Sequence, residues 1–271
     1  MKEIDRNLLD ALEDHHLAHV KELLEKGADP NVCDKKGTPG FYHAIGNPAM
    51  MELLIAKGAD VKREGGYFGG TVLHQAAFWG FYEMVKLLLE AGVGPRQVAN
   101  EGETPLHCAA IMCTLEHANK GGAVFGQMDY AETMRLLLEK GADVNARDGH
   151  DRTPLHIICE TSTTFPDDYF YEDCVATLLK ASAEINAEDV WGYAPLDYAR
   201  NTELVATLIG LGAKFSANYR KHFIAGSSRS GRARRLSVKE LKEDVEESLR
   251  EQENKRKRAE TEEEMKRIGW K

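Results

Sequence analysis

Histidine recurs in this chain at a fixed position, three residues after a threonine. The phrase Thr-x-x-His occurs three times and ends at His74, His107 and His156. Imidazole titrates near neutral pH and is a common metal ligand, so metal binding or acid–base catalysis is the first chemistry to consider. The three histidines lie tens of residues apart at equivalent points of one phrase, which favours a shared structural role instead.

A second group of histidines lies near the start of the chain, at His15, His16 and His19. We place them on a first helix, where His15 and His19 have a spacing that can chelate a metal, but the intervening glutamate of a metalloprotease motif is missing. The chain has no Gly-x-Ser-x-Gly elbow, Gly-Lys-Ser/Thr loop or kinase-like motif set, and its Gly-rich run 65–70 is a weak match to a phosphate cradle. We therefore assign no catalytic residue, cofactor or metal site, and expect that the protein is not an enzyme.

The histidines belong to an internal repeat. Thr38 precedes Thr71 by 33 residues, and Thr104 follows after another 33. This is the period of the ankyrin unit. Longer steps to Thr153 and then to Ala194 indicate insertions.

A Leu-rich turn closed by glycine forms a second landmark in each unit, at Gly27, Gly58, Gly92 and Gly141. Threonine and proline favour a helix start, whereas glycine favours a helix end. The later copies degrade, with Ser182 in the place of glycine, as is typical of terminal repeats. One such unit cannot bury its own apolar face, so the units must stack.

The two landmarks resemble those of the ankyrin-repeat family over residues 1–215. The resemblance implies an all-α fold, an ankyrin-repeat solenoid of about six helix-turn-helix units with hairpin loops. We expect insertions near 113–131 and 161–173. A basic flexible linker, 216–236, and a charged amphipathic helical tail, 237–271, should follow the repeat domain.

The resemblance also implies a role for the repeated histidine, which in this family bonds the loops and backbone of neighbouring repeats. Two positions depart from the family pattern. Gly40 and Phe41 stand where Leu-His is usual, and Asp197 stands in the last histidine position. The local geometry at both places is open at this point.

Ligands of this family usually meet the hairpin tips and the residues that follow Ala-Ala in the first helix. Several of these positions are apolar here, although a solvated surface should be polar, and exposed aromatic residues often act as anchors. An alternative is that Phe78, Ile111 or Met112 packs under the first insertion. The resulting partner-binding candidates are Tyr67, Phe68, Phe78, Trp79, Ile111, Met112, Val190, Trp191 and Tyr193.

The cysteines and the hydropathy indicate where the protein works. There are five cysteines, an odd number without a CxxC pair, which favours reduced thiols in an intracellular protein, cytoplasmic or nuclear. The N-terminus lacks the apolar stretch of a signal peptide, and no run approaches 18 apolar residues. We expect no membrane association.

Charge is distributed unevenly along the chain. Residues 1–215 carry a net charge of −14, whereas the remainder carries +5. The asymmetry is consistent with a basic partner for the solenoid, with a tail that visits an acidic surface, or with plain solvated charge. The tail has a basic run at 219–235, followed by a capping box that starts at Ser237 and a narrow apolar stripe.

These patterns favour a non-catalytic scaffold or adaptor that binds a protein partner on its concave face. The tail helix would make a second contact, with another protein or within a larger assembly. The alternative is a nucleic-acid-associated factor whose basic tail, at 229–235 and 255–258, contacts RNA or DNA phosphates. Against it, acids surround the second cluster and the solenoid is acidic.

Ser237 is a phosphorylation candidate, since it follows Arg234-Arg235-Leu236 and stands at the predicted N-cap of the tail helix. A phosphate adds about −1.5 to −2 charges, which both the helix N-terminus and the neighbouring arginines favour. In peptides spanning 229–258, phosphoserine at this position should raise helicity in circular dichroism. The gain should shrink at high salt, and a fall in helicity on phosphorylation would contradict this electrostatic cap.

Overall fold

The structure, a computed structural model, describes residues 1–66, 69–113, 129–161, 171–199 and 202–218. Ser237 and the predicted tail helix lie outside these residues. The described residues contain no strand and form six successive helix pairs, which confirms the predicted all-α solenoid. The pairs are α1 (Glu3–Glu13) with α2 (Leu17–Glu25), a 3-10 helix (Gly40–Ala44) with α3 (Pro48–Ala56), α4 (Val72–Phe78) with α5 (Tyr82–Glu90), α6 (Pro105–Met112) with α7 (Tyr130–Glu139), α8 (Pro154–Thr161) with α9 (Tyr171–Lys180), and α10 (Pro195–Tyr198) with α11 (Thr202–Gly210).

The pairs stack in chain order. The first helix of a pair contacts the first helix of the next pair, so that α4 packs on α6, α6 on α8 and α8 on α10. The second helices do the same, with α5 on α7 and α7 on α9. The core between them is made of leucine and small residues such as Ala76, Ala77, Ala109 and Ala110, all fully buried. Small side chains allow the first helices to approach closely, and burial of the leucines supplies the main driving force for stacking.

The repeated histidine joins three of the units to the unit that follows. In α4, Nδ1 of His74 accepts a hydrogen bond from the backbone N–H of Thr71 at 3.0 Å, and its Nε2 lies 3.0 Å from the carbonyl oxygen of Gln97 in the following unit. Since Nδ1 accepts and the carbonyl can only accept, the proton must be on Nε2. The same pair of bonds is made by His107 with Thr104 and Arg152, and by His156 with Thr153 and Tyr193.

The second unit keeps this link with a different residue. The helix there begins after Pro39, one residue later than the Thr-Pro phrase suggests, so Phe41 and Tyr42 take the Leu-His positions. Phe41 is fully buried, and the Tyr42 hydroxyl donates to the carbonyl oxygen of Gly70 at 2.8 Å. A side chain on Gly40 would approach Leu9 to 2.9 Å. The glycine therefore lets α1 pack closely on the short 3-10 helix.

Asp197 makes the corresponding link in the last unit. Its Oδ2 accepts a hydrogen bond from the Ala194 N–H at 2.8 Å, and its carboxylate also accepts one from the Ser216 N–H at 3.2 Å to Oδ1. An ionised carboxylate can only accept, so its second partner is an N–H instead of a carbonyl. Burial raises the pKa of Asp197, with the Ser216 hydrogen bonds acting in the opposite direction.

Asparagine forms a second ladder along the outer loops. Asn31 donates from Nδ2 to the Gly58 carbonyl at 3.1 Å and accepts at Oδ1 from the Asp60 N–H at 2.7 Å. One amide thus bonds both backbone groups of the next unit's helix end. Asn145 bridges Ser182 and Glu184 in the same manner, and Asn186 bridges Gly212 and Lys214.

Among the described helices, none has the length and apolar character needed to cross a membrane.

The buried histidines predict a stability that falls in mild acid. Burial lowers the pKa of His74, His107 and His156 below the ordinary 6.5. The unfolded chain therefore binds more protons than the folded chain below about pH 6.5, so the free energy of unfolding decreases as the pH falls. Each histidine that stays neutral in the folded state contributes up to about 1.4 kcal/mol per pH unit.

Urea denaturation between pH 7.5 and 5 measures this slope. His107→Gln should reduce it by about a third of the contribution of the three histidines. The exposed His19→Gln serves as the control and should leave the slope unchanged. A wild-type stability that is flat from pH 7.5 to 5 would contradict the neutral, bridging role.

Candidate functional site

Three of the hairpin tips between units are shaped by aspartate. Oδ1 of Asp189 accepts hydrogen bonds from the N–H groups of Trp191 and Tyr193, each at 2.9 Å. A side chain that bonds the backbone two and four residues ahead closes a tight turn without help from another strand. Asp34 and Asp148 make the same pair of bonds in their own tips.

Neighbouring tips are bonded to each other through the backbone. The Gly149 N–H donates to the Glu101 carbonyl at 2.7 Å, and the Val190 N–H donates to the His150 carbonyl at 3.1 Å. A side chain on Gly102 would approach the Gly149 nitrogen to 2.8 Å, so glycine is needed for this contact. The last three tips therefore form a continuous ridge with fixed spacing.

Trp191 is the most exposed aromatic side chain among the described residues of this ridge. It is 51% exposed, and its neighbour Val190 is 53% exposed. The His150 ring stacks on the indole with centroids 5.2 Å apart and planes inclined by 21°. This stacking orients Trp191 and leaves a large part of its surface in solvent. Tyr193 is half-buried and meets the Tyr198 ring edge to face.

The candidates after Ala-Ala in α4 and α6 are half-buried. Phe78 and Trp79 meet edge to face at 5.2 Å, and Phe78 packs against the core. Ile111 and Met112 occupy the equivalent positions of the next unit and also pack against the core. These four side chains therefore contribute to folding as well as to the surface.

Two of the nine candidates, Tyr67 and Phe68, lie outside the described residues. The structure brings Val190, Trp191 and Tyr193 together at one tip, and it pairs Phe78 with Trp79 in a different unit.

A network of charged groups beside the last tips was not predicted from the sequence. The Arg152 guanidinium donates to Asp148 at 2.8 Å and to Glu160 at 2.8 Å. Burial raises the pKa of Asp148, but hydrogen bonds from Arg152 outweigh it and place the pKa below its usual value. Asp189 also accepts a short hydrogen bond from the Tyr198 hydroxyl, and burial raises the pKa of that hydroxyl. The sequence signal for these tips is an aspartate five residues before the helix start, as Asp148 precedes Thr153 and Asp189 precedes Ala194.

One exposed apolar residue was also missed. Val98 is 56% exposed and lies just before the tip that contains Glu101. The only sequence feature that could have predicted its exposure is its position just before the turn at Gly102.

The structure gives the repeated histidines both hydrogen-bond partners within the fold, as described above. The prediction that the N-terminal histidines lie on one helix is wrong. His15 and His16 lie in the turn between α1 and α2, and only His19 is helical, because His15 adopts a left-handed backbone at φ +54°. Four-residue spacing therefore does not align His15 with His19. In the part of the chain that the structure describes, no cluster of three His, Cys, Asp or Glu side chains could hold a metal ion.

The five cysteines are not joined by disulfides, and four of them are buried. Burial raises the pKa of the Cys108 and Cys159 thiols well above the usual value. The thiols thus behave as small apolar core groups, because a reactive cysteine requires exposure and a lowered pKa.

Stacked helix pairs joined by hairpin tips define this molecule as a repeat solenoid. The family model for ankyrin repeats matches three times, over residues 8–98, 68–120 and 123–219. The chain belongs to the ankyrin-repeat family, which confirms the resemblance inferred from its motifs.

Several curated proteins are similar to this chain. The palmitoyltransferase ZDHHC13 of Homo sapiens is 28% identical over 73% of the chain and 34% of its own length. The target of rapamycin complex 2 subunit AVO2 of Saccharomyces cerevisiae is 27% identical over 75% of the chain and 44% of its own length. The E3 ubiquitin-protein ligase KEG of Arabidopsis thaliana is 33% identical over 52% of the chain and 8% of its own length. The chain thus spans less than half the length of these relatives.

The tip geometry predicts that Asp189 stabilises the fold while its neighbour Glu188 does not. Asp189→Ala removes the acceptor of three hydrogen bonds and should lower the free energy of unfolding by about 1.5–3 kcal/mol. The exposed Glu188→Ala is the matched control, with an expected change within about 0.5 kcal/mol. Urea denaturation measures both, and equal effects of the two substitutions would contradict the role of Asp189.

Proposed function

We propose that the protein is a non-catalytic scaffold or adaptor, and that a protein partner binds to its concave face and hairpin-tip ridge. The observation that carries this proposal is the last tip, where Val190 and Trp191 are both more than half exposed. Exposed apolar groups on an otherwise charged surface mark interaction sites, and tryptophan is enriched among the residues that dominate binding energy.

The rigidity of this tip supports the proposal. Asp189 holds the backbone of Trp191, and His150 stacks on its ring. A side chain that is already ordered loses little conformational entropy when a partner covers it. Trp191 can therefore act as an anchor without a large ordering cost.

Trp79 is the second proposed anchor. It is half-buried, and Phe78 supports its ring. Ile111 and Met112 occupy equivalent positions in the next unit, so a partner that covers Trp79 would extend along successive units. Ankyrin repeats are interaction modules, and the name of AVO2 places that relative in a multiprotein complex, which is compatible with a scaffold.

The relatives named as a palmitoyltransferase and a ubiquitin ligase are enzymes by name. Our proposal assigns no catalysis to the described residues of this chain, whose repeated histidines are bonded within the fold. The second contact through the tail, the nucleic-acid alternative and an intracellular location remain predictions from sequence.

The proposal predicts that Trp79→Ala combined with Trp191→Ala weakens partner binding more than folding. Loss of two anchors should cost about 2 kcal/mol or more, roughly a thirtyfold loss in affinity. Affinity purification with mass spectrometry identifies partners of the wild-type chain, and titration of the purified partner then compares the variants.

Leu17→Ala is the control for this experiment, because Leu17 is 38% exposed but lies in the first unit. It should retain wild-type affinity. If the double variant unfolds before it loses its partner, the tryptophans belong to the core and the assignment of the surface is wrong.

A further inference from the structure

The last two hairpin tips form a surface with excess negative charge. We call residues 147–152 and 184–193 the tip site; it contains five acidic residues and two arginines. Its centre is the exposed Trp191 ring, stacked on His150. An aromatic surface within negative charge attracts cations.

Both arginines of the tip site are engaged in bonds of their own. Arg152 is bonded to Asp148 and Glu160. Arg147 donates from one guanidinium nitrogen to two backbone carbonyls, that of Asp151 at 2.9 Å and that of Glu188 at 2.7 Å. These bonds hold the backbones of Asp151 and Glu188 close together.

The carboxylates of Asp151 and Glu188 are available to pair with a cation at this edge of the tip site. Both residues are exposed, and neither forms an ion pair with another described residue. Asp151 directly follows His150, and Glu188 precedes Val190 by two residues. A guanidinium is the group that fits such a setting, since it stacks on aromatic rings and pairs with carboxylates.

The described part of the chain ends beside this surface. The Asn218 side chain donates from Nδ2 to the carbonyl oxygen of Trp191 at 2.7 Å. The next 17 residues, 219–235, contain six lysines and arginines and no acid. A flexible chain of that length has a root-mean-square span of about 20–25 Å. Arg220 follows Asn218 by two residues, so the basic groups need no long connection to reach the tip site.

We propose that the arginine-rich segment 219–235 of this chain is the occupant of the tip site, with a guanidinium against the Trp191 indole and its charge facing Asp151 and Glu188. The contact does not require the partner proposed above. If that partner binds at Trp191, it must displace the chain's own segment.

Mass action makes such a contact effective even if it is weak. Exposed ion pairs and cation–π contacts each contribute little. A short tether, however, gives an effective concentration of about 1 mM. A contact with a dissociation constant of about 0.2 mM would then be occupied about five-sixths of the time, and a competing peptide would bind about sixfold more weakly.

The test uses the full chain and a fluorescent peptide with the sequence of residues 227–236, followed by anisotropy. In one variant, Arg229, Arg232, Arg234 and Arg235 are replaced by glutamine. If the segment covers the tip site, this variant should bind the peptide at least fivefold tighter than the wild-type chain. The matched control replaces Lys255, Arg256, Lys257 and Arg258 by glutamine, which removes the same charge, and should change affinity less than twofold.

Further substitutions in the Arg-to-Gln chain locate the site. Trp191→Ala and Glu188→Lys should each weaken peptide binding at least fivefold. Their controls are Leu17→Ala and Glu25→Lys, which alter an exposed apolar and an exposed acidic residue of the first unit. Thermal melting by circular dichroism confirms that every variant is folded.

Four outcomes would overturn the proposal. Equal peptide affinity of the wild-type and Arg-to-Gln chains would mean that the segment does not cover the tip site. If the 255–258 control gained as much peptide affinity as the Arg-to-Gln chain, the effect would come from overall charge and not from the segment. The same would hold if Glu25→Lys lost as much peptide affinity as Glu188→Lys. Absence of peptide binding to every variant would exclude the surface as a basic-peptide site, without affecting the capture of a partner through Trp79 and Trp191.

Discussion

The fold depends on a hydrogen bond that runs, in five of the six units, from the start of the first helix to the backbone that follows that unit. The imidazole of His107 shows what it requires, since one nitrogen accepts from Thr104 and the other meets the carbonyl of Arg152. The group must be buried, neutral and in one tautomer. A helix start leaves free N–H groups and a hairpin leaves free carbonyls, so one side chain satisfies two backbone groups whose burial would otherwise be costly.

The two exceptions obey the same constraint. Tyr42 reaches the Gly70 carbonyl with a hydroxyl, while the carboxylate of Asp197 accepts from Ser216. The chemistry changes with the group that faces it, since a hydroxyl can donate to a carbonyl and a carboxylate can only accept. The units stay in register because the bond is present in each of these units, although the residue that makes it differs.

The surface that we propose for binding follows from this register. The last two tips are closed internally by Asp148 and Asp189, and each is bonded to the tip before it, as in the bond from Val190 to His150. Side chains at equivalent positions thereby form rows along the stack, and a local exception such as Trp191 is presented in a fixed orientation. The same rows place the acidic groups of the last tips beside the point where Asn218 meets Trp191.

The sequence by itself determined the class of fold, because Thr-x-x-His and Leu-rich Gly closures reflect local requirements of helix starts and ends that recur in every unit. It also indicated the histidine bridge through the family resemblance, and it marked Val190, Trp191 and Tyr193 as one group by their proximity in the chain. Tertiary structure alone decided which residue makes the bridge in the second unit, since Tyr42 is recognised only by its distance to Gly70. It likewise decided that Phe78, Ile111 and Met112 pack on the core while Trp191 stays exposed. The exposure of a side chain and its bonds to the next unit depend on which groups of that unit face it. Those groups lie tens of residues away in the sequence, so local patterns do not reveal them.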